Sequence, residues 1–307
     1  MKRLFPFVFV IIAAVAGHAT STLSLVTYNI HSGIPNGLSS AKHAVTQQDL
    51  QNIADVLKSA SPDIVALQEV RCEWTSKTVD GRSVVVGPNE PRDFARLTGL
   101  GFAFGSAIDD APKFPANTGY KEWANAGDPV TTSGAIHGEY GNAVLSRLPF
   151  RTPPENIALP NREGKEQRAC LRLEMPETHA GPLVVYATHL QHDSAEIRVD
   201  QMTEILRRAS SEATGTLVLL MGDFNYHPGT AGDLLGLAAR AGFHDLQGEA
   251  AKTAGVEPEP TFPADKPKQR IDYIMANRPL KVIQAKVIES EASDHRALWI
   301  QVALEKP

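Results

Sequence analysis

The stretch LVLLMGDFNYHPG, residues 217–229, predicts both an element of the fold and a candidate site. Leu217 to Met221 are large and apolar, which is typical of a strand buried on both faces. Asp223 and Asn225 follow, and Pro228-Gly229 then ends the element. Polar groups at the end of a buried strand can be held in a cleft, but Asp and Asn also favour turns, where their side chains bond the nearby backbone. Recurrence of the arrangement elsewhere in the chain is what separates these two interpretations.

Eight further segments have the apolar and β-branched composition of strands. They are LSLVTYN (23–29), DIVALQ (63–68), GNAVLSR (141–147), RACLRLE (168–174), PLVVYATHL (182–190), RIDYIMA (270–276), KVIQAKVIE (281–289) and ALWIQVAL (297–304). DIVALQ is expected to end at Glu69. Several of these strands follow one another directly, which favours a sandwich of mixed sheets over an alternating barrel or a doubly wound sheet.

Helices are predicted at scattered points between the strands. Thr46 and Asp49 resemble a capping box at the start of the first helix. A short helix is expected near 91–97. A longer helix is expected over about 194–210, capped by Ser194, and another over about 231–241. The predicted fold class is therefore α/β, with mixed sheets and helices packed in layers.

The composition is that of a globular protein, with 307 residues, 42% hydrophobic content and 21% charged residues. The formal net charge of −5 gives no general affinity for nucleic acid or for an anionic membrane. No repeat, low-complexity tract or interdomain linker is evident. We therefore predict one domain over residues 20–307.

The N-terminus has the pattern of a secretory signal peptide. Lys2 and Arg3 precede an apolar run from Leu4 to Ala16, and Gly17-His18-Ala19 places small residues where a signal peptidase cuts. The run is too short for a comfortable membrane span, and an uncleaved membrane anchor is the alternative interpretation. We expect residues 1–19 to be removed and the protein to be secreted or periplasmic.

Two features stay open at this level. Cys72 and Cys170 could pair in an oxidising compartment, but their spacing does not decide this. A segment over 111–136 is rich in Gly, Pro, Asn and aromatic residues, and a long segment without regular structure is more often a binding loop than filler.

Polar residues capable of metal or phosphate chemistry recur at or next to the predicted strands. They are Asn29, Glu69, Asn142, His189, Asp223 with Asn225, Asp272, and Asp294 with His295. One such residue alone would be a turn former or a satisfied buried polar group. Seven instances indicate a site, and clustered carboxylates need a shared cation or proton. Oxygen ligands without a Cys/His cage are typical of Mg²⁺, Mn²⁺ or Ca²⁺ sites.

The segments TYNIHSG, ALQEV, GNAVLSR, ATHL, GDFN, RIDYI and SDH occur in the order found in the endonuclease/exonuclease/phosphatase superfamily, and the chain resembles that family from about 23 to 304. The resemblance implies a four-layer α-β-β-α sandwich of two packed mixed β-sheets. It places the active site at one edge of the sheets. Family members include nucleases, sphingomyelinases and inositol-phosphate phosphatases.

The resemblance also implies roles for individual residues. Glu69 would be the principal metal ligand, with Asn29 beside it, and Asp294 would be a ligand or its outer partner. A turn-forming Asn is the competing interpretation of Asn29. Asp223 would orient or deprotonate the attacking water, and Asn225 would hold water or phosphate.

Further roles fall on the histidines and their neighbours. His295 would stabilise the phosphoryl group, with Asp272 bonded to its other ring nitrogen. His189 would be a general acid or phosphate ligand near the leaving oxygen; a buried structural histidine is the alternative. Substrate binding would fall to three further residues: Asn142, Tyr140 and Arg168. A solvated position for Arg168 is equally compatible with its place at the start of a strand.

These observations lead to an expected function. We predict an exported phosphoesterase, most simply a phosphodiesterase, that uses Mg²⁺ or Mn²⁺, with Ca²⁺ a further candidate, to direct water at a phosphoester. The substrate would be a lipid head group, a small phosphodiester or a nucleic acid, and the protein a monomer without an obligate protein partner. The alternatives are a secreted nuclease and a catalytically inactive binding relative of the same fold.

Overall fold

The computed structural model describes residues 21–39, 42–72, 75–79, 82–86, 89–109, 121–126 and 138–305. Side chains are described throughout these ranges except at 75–79, 82–86, 109 and 121–123. The predicted signal peptide lies outside the described residues. So does most of the predicted 111–136 loop, of which residues 121–126 are described.

Strands and helices alternate in groups along the described ranges of the chain. The strands are β1 (Thr22–Asn29), β2 (Ile64–Cys72), β3 (Thr75–Val79), β4 (Arg82–Val86), β5 (Gly101–Asp109), β6 (Lys121–Ala124), β7 (Glu139–Ser146), β8 (Glu155–Ala158), β9 (Ala169–Thr178), β10 (Gly181–His189), β11 (Leu217–Asp223), β12 (His244–Asp245), β13 (Asp272–Ala276), β14 (Lys281–Ile288) and β15 (Ala297–Ala303). The helices are α1 (Gln47–Ser59), α2 (Glu90–Thr98), α3 (Ala195–Ala209), α4 (Leu234–Arg240) and α5 (Leu246–Ala254).

The strands form two large mixed sheets and a hairpin. The first sheet has seven strands in the order β14-β15-β1-β2-β7-β5-β6, and the second has six in the order β12-β13-β11-β10-β9-β8. Within the part of the chain that the structure describes, β3 and β4 pair only with each other. Each large sheet contains one parallel pair, β1 with β2 and β10 with β11, among antiparallel neighbours.

Alternation along the strands directs buried apolar side chains into three hydrophobic cores. In β11, Leu217 and Leu219 pack between the two sheets, whereas Val218 and Leu220 pack outward against α3. In β1, Leu25 faces the other sheet. The outer face of the first sheet is covered by α1 and α2, and that of the second by α3 and α4. The predicted four-layer α-β-β-α sandwich is confirmed.

The helix boundaries agree with the capping signals in the sequence. Thr46 and Asp49 form the complete capping box at the start of α1, and Ser194 caps α3. The helix α4 begins after Asp233 rather than near 231, because the Asp233 side chain accepts from the backbone of Gly236. The helix α5 was not predicted; it packs against β13 and β14, so it contacts both sheets.

Cys72 and Cys170 lie on opposite sides of the sandwich. Cys72 belongs to the core beneath α1 and α2, and Cys170 to the core beneath α3. Packed sheets are about 10 Å apart, and a disulfide requires Cα atoms within about 7 Å, so these two residues do not form a disulfide with each other. None of the helices within the described residues combines the length and the hydrophobicity of a membrane span.

Candidate active site

The site lies where the last residues of parallel strands meet the first residues of their antiparallel neighbours. His189 ends β10 and is paired in register with Asp223, which ends β11. Asp223 is in turn paired with Asp272, the first residue of β13. Three of the predicted site residues therefore stand in a row across the second sheet. Asn29, which ends β1, reaches the same edge from the first sheet.

Backbone strain concentrates at this edge. Five described residues other than glycine have a positive φ, and four of them belong to the site or to the turn beside it: His31 (47°), Ser32 (52°), Glu69 (58°) and Asn225 (48°). Left-handed backbone disfavours residues with a Cβ atom and persists where surrounding contacts enforce it. The concentration of strain independently indicates a functional site.

Glu69 lies inside a β-bulge rather than at a strand end. The pairing of β2 with β7 shifts between Leu67 and Val70, and the strand then continues to Cys72. The prediction that the strand ends at Glu69 was therefore wrong. An extra residue in one strand changes the direction of a side chain without ending the strand. Here the Glu69 carboxylate accepts a hydrogen bond of 3.1 Å from the Asn29 amide.

Asn29 serves both as a turn residue and as part of the site. Its Oδ1 accepts from the backbone N–H of His31 at 3.0 Å, as in an Asx turn. Its Nδ2 donates to Glu69 Oε1 and to Asp223 Oδ2, both at 3.1 Å. Ser293 Oγ donates to the Asn29 carbonyl at 2.8 Å and fixes the backbone. Asn29 thus joins the carboxylates of the two sheets.

Asp223 lies at the centre of the cluster and is buried. Its Oδ1 accepts from the backbone N–H of Asn225 at 2.7 Å, while its Oδ2 lies 3.5 Å from His189 Nε2 and 3.7 Å from His295 Nε2. Burial and the charge of Asp272 raise the pKa of Asp223 to about 7. The carboxylate can therefore exchange a proton near neutral pH.

His295 and Asp272 form a buried ion pair. The Nδ1 of His295 lies 2.9 Å from Asp272 Oδ2, which also accepts from Thr261 Oγ1 at 2.5 Å. Burial alone would lower the pKa of His295, but the carboxylates of Asp272 and Asp223 outweigh it and raise this pKa to about 10. His295 is therefore an imidazolium at neutral pH.

His189, in contrast to His295, is held as a neutral imidazole. Arg168 Nη1 lies 3.0 Å from its Nδ1, and Asn225 Nδ2 lies 2.9 Å from its Nε2. Burial, followed by the positive charges of Arg168 and His295, holds the pKa of His189 well below its usual range. Asp223 is thus flanked by one cationic imidazole and one neutral imidazole.

Arg168 contacts His189, and Tyr140 in turn contacts Arg168. Only 4% of the Arg168 side chain is exposed, so the solvated alternative for Arg168 is wrong. The Tyr140 hydroxyl is hydrogen-bonded to Arg168, and burial and the charge of Glu69 raise its pKa well above the ordinary value. Tyr140 therefore links the Glu69 side of the site to the Arg168 side.

The remaining predicted residues have different surroundings. Asn142 is buried, and its Nδ2 donates to the Ala169 carbonyl at 2.8 Å, so its amide joins β7 of the first sheet to β9 of the second. Asp294 is 30% exposed, and its Oδ1 lies 3.8 Å from His31 Nδ1. The carboxylate of Asp294 therefore faces the turn that follows Asn29.

Several residues that sequence analysis did not single out support the site. Thr261 has no local motif, because it reaches Asp272 across an irregular loop. Ser293 lies within the quoted SDH segment. His192 accepts from Arg168 at 3.2 Å. Arg270, two residues before Asp272 in the chain, is instead buried against Asp245 and Tyr273.

The donor set fits a divalent cation that prefers oxygen. Glu69 supplies a partly exposed carboxylate beside Asn29, and Asp294 lies next to the same turn. Ligand atoms of Asp223, Asp272 and His295 lie within 4.8 Å of one another, and the buried Asp272 Oδ1 has no hydrogen-bond partner among the described residues. Carboxylates without a thiolate are suited to Mg²⁺ or Mn²⁺.

Comparison with known families agrees with this architecture. A four-layer sandwich with a carboxylate and histidine cluster at one sheet edge is the framework of a phosphoesterase class. The chain belongs to the endonuclease/exonuclease/phosphatase family, whose model matches residues 26–295. The matched region begins in β1 and ends at His295, so it includes every predicted site residue.

Solved structures share the fold at low sequence identity. An endonuclease/exonuclease/phosphatase from Beutenbergia cavernae is 22% identical, with a TM-score of 0.65, covering 93% of this chain and 72% of that one. The mannosyl-6-phosphatase Bt3783 from Bacteroides thetaiotaomicron is 15% identical, with a TM-score of 0.64, covering 92% and 99%. A humanised D. rerio TDP2 is 16% identical, with a TM-score of 0.60, covering 92% and 99%. No curated protein sequence matches the chain significantly.

Proposed function

We propose that the protein is an exported, divalent-metal-dependent phosphoesterase that directs water at a phosphodiester. The observation that carries the proposal is the environment of Asp223 Oδ2, which lies 3.1 Å from Asn29 Nδ2, 3.5 Å from His189 Nε2 and 3.7 Å from His295 Nε2. A buried base between a cationic and a neutral imidazole matches the needs of in-line attack by water at phosphorus.

Each residue contributes according to its charge. Asp223, with a pKa raised to about 7, accepts the proton of the attacking water. The His295 imidazolium, oriented by Asp272, stabilises negative charge that develops on the phosphoryl oxygens. A divalent cation bound by Glu69, with Asn29 and Asp294 as further candidate ligands, would polarise a phosphoryl oxygen and offset its charge.

The charge of the protein bears on the class of phosphoester that it hydrolyses. The net charge of −5 opposes tight binding of long duplex DNA, because such binding depends on neutralising many phosphates. A lipid head group or a small phosphodiester is therefore favoured over nucleic acid, and a secreted nuclease is the second candidate. A protein of similar fold is named a mannosyl-6-phosphatase, so a phosphomonoester is included among the substrates to be tested.

Export is supported by the N-terminal pattern of Lys2, Arg3 and the apolar run that follows. We expect the exported protein to begin at Thr20. Mass spectrometry of the protein recovered from the periplasm or the medium measures this directly. Recovery of the intact N-terminus from the cytoplasm alone would contradict export.

The catalytic proposal is tested with protein from Thr20 onward, stripped of metal and assayed with and without Mg²⁺ or Mn²⁺. The substrates are a small phosphodiester, a phosphomonoester, a choline phospholipid and plasmid DNA. We expect metal-dependent hydrolysis of at least one substrate, absent in Asp223→Ala. Hydrolysis of plasmid alone would establish the nuclease alternative. A folded, metal-binding protein inactive on all four would instead favour a binding relative of the same fold.

A further inference from the structure

The N–H donors of the Arg168 side chain are occupied by contacts with other residues of the protein. A guanidinium has five N–H donors and no acceptor. The Nε donates to Gln191 Oε1 at 3.4 Å, Nη1 lies 3.0 Å from His189 Nδ1 and 3.3 Å from Glu166 Oε1, and Nη2 lies 3.2 Å from His192 Nδ1. The Tyr140 hydroxyl is also hydrogen-bonded to it. Little of this guanidinium is left to bind a substrate.

Contact with a guanidinium determines the tautomer of an imidazole. Because arginine can only donate, the ring nitrogen that faces it must carry a lone pair. For His189 that nitrogen is Nδ1, so the proton of the neutral ring resides on Nε2, the nitrogen 3.5 Å from Asp223 Oδ2. His192 presents the same Nδ1 to the second arm of the same guanidinium.

Asn225 makes a second contact with the His189 ring, and this contact competes with that of Arg168. The Asn225 amide nitrogen, 2.9 Å from His189 Nε2, is also a donor, and it is tied to the Leu190 carbonyl at 3.0 Å. A neutral imidazole accepts at only one of its two nitrogens. A hydrogen bond from a charged donor is roughly twice as strong as one from a neutral amide, so the contact with Arg168 decides the tautomer.

We propose that Arg168 is a positioning residue that holds His189 as a neutral Nε2–H tautomer, so that His189 acts as a hydrogen-bond donor and not as a proton-transferring acid. Burial and the adjacent positive charge act in the same direction, because both disfavour a second proton on this ring. The inference rests on the proposed function for its kinetic consequence only. The tautomer itself is independent of which substrate is hydrolysed.

The test uses metal-free protein labelled with ¹⁵N-histidine, in which two-bond ¹H–¹⁵N correlations distinguish the Nε2–H tautomer, the Nδ1–H tautomer and the imidazolium. A His189→Gln variant assigns the signal. We expect a neutral Nε2–H signature in the wild type at pH 7. It should be lost in Arg168→Met, which keeps an unbranched, flexible side chain but removes every donor, and restored at least in part in Arg168→Lys.

Arg172→Met is the matched control, since Arg172 lies in β9, the strand that follows Arg168, and pairs with Glu212 and Glu174 away from the site. This control should leave the His189 signature unchanged. Circular dichroism and thermal unfolding identify any variant that fails to fold, and in that event the wild-type spectrum and Arg168→Lys decide the matter. An Nδ1–H or imidazolium signature in the wild type would overturn the proposal.

Kinetics separate positioning from substrate binding. If His189 donates in the transition state, Arg168→Met lowers kcat by about 10²-fold with little change in KM. An increase in KM with unchanged kcat and an unchanged His189 spectrum would show instead that Arg168 binds the substrate. If the protein hydrolyses none of the tested phosphoesters, the spectrum still decides the tautomer, so failure of the proposed function is distinguishable from failure of this inference.

Discussion

The Asn29 amide donates to Asp223 Oδ2 at 3.1 Å, although 194 positions separate the two residues in the chain. The first residue ends a strand of one sheet and the second ends a strand of the other. The same Nδ2 also donates to Glu69, so one amide links the candidate metal ligand to the candidate base. The catalytic geometry therefore depends on how the two sheets are packed.

Replacement of Asn29 tests this link. Asn29→Ala leaves two carboxylates without their shared donor, and we expect kcat/KM to fall by about 10²-fold or more. The free energy of unfolding should decrease by about 1–3 kcal/mol, because buried acceptors lose a hydrogen bond. Urea denaturation and steady-state kinetics measure the two effects. Asn161→Ala, which removes an exposed loop hydrogen bond, is the control and should change neither.

Asp223→Asn separates stability from activity. The raised pKa of Asp223 shows that the site disfavours its charge, so a neutral amide of the same shape should stabilise the metal-free protein by roughly 1–3 kcal/mol at pH 8. Turnover should fall by about 10²- to 10⁴-fold, because the base is lost. Asp200→Asn, which breaks an exposed ion pair, is the control. Wild-type turnover in Asp223→Asn would exclude this carboxylate as the base.

The pH dependence of kcat/KM should be bell-shaped. The active form requires Asp223 without its proton and His295 with its proton. Activity should therefore rise as pH passes about 7 and fall as pH passes about 10. Asp272→Asn should move both limbs to lower pH, because the Asp272 charge raises the pKa of both groups. An alkaline limb that does not move in this variant would contradict the pairing of Asp272 with His295.

The same shifts predict how stability varies with pH in the metal-free protein. The folded state binds the His295 proton more tightly than the unfolded state, whose histidine pKa is about 6.5. The contribution of His295 to stability is fully present below about pH 6.5 and is lost as pH rises through about 10. Urea denaturation from pH 6 to 10 should show this decline. His295→Gln, which has no titrating group, should show a shallower one.

The bulge at Glu69 provides a matched pair of variants. Both Glu69→Ala and Glu69→Gly remove the carboxylate and should abolish metal-dependent turnover. Because residue 69 has a φ of 58°, glycine should be more stable there than alanine by about 1 kcal/mol. Urea denaturation compares the two proteins, and isothermal titration with Mg²⁺ reports the loss of binding. Equal stability of the two variants would mean that the left-handed backbone carries no cost.

The positions of the cysteines predict that neither a reducing agent nor a thiol reagent affects the folded protein. Cys72 and Cys170 are buried on opposite sides of the sandwich, and burial raises the pKa of the Cys170 thiol. Dithiothreitol should leave Tm unchanged. A thiol reagent should react with both residues only after unfolding. A lower Tm under reducing conditions would show that a disulfide forms in the exported protein.

Much of the fold could be predicted from local patterns. The apolar runs of β1, β10 and β11 and the capping box of α1 were correctly located, because strand periodicity and helix capping depend on residues close together in the chain. The strands β3 to β6, β8 and β12 and the helix α5 were missed, since their sequence patterns are weak.

Local patterns in the amino-acid sequence established which polar residues lie at or next to which strands, and the resemblance to a known family placed them at one edge of the two sheets. What each of these residues contacts depends on the packing of the folded chain. Packing of the sheets brings Asn29 to Asp223, the bulge orients Glu69, and the start of β9 buries Arg168 against His189. Strand patterns have a local period of two residues, whereas contacts between sheets depend on the packing of segments far apart in the chain.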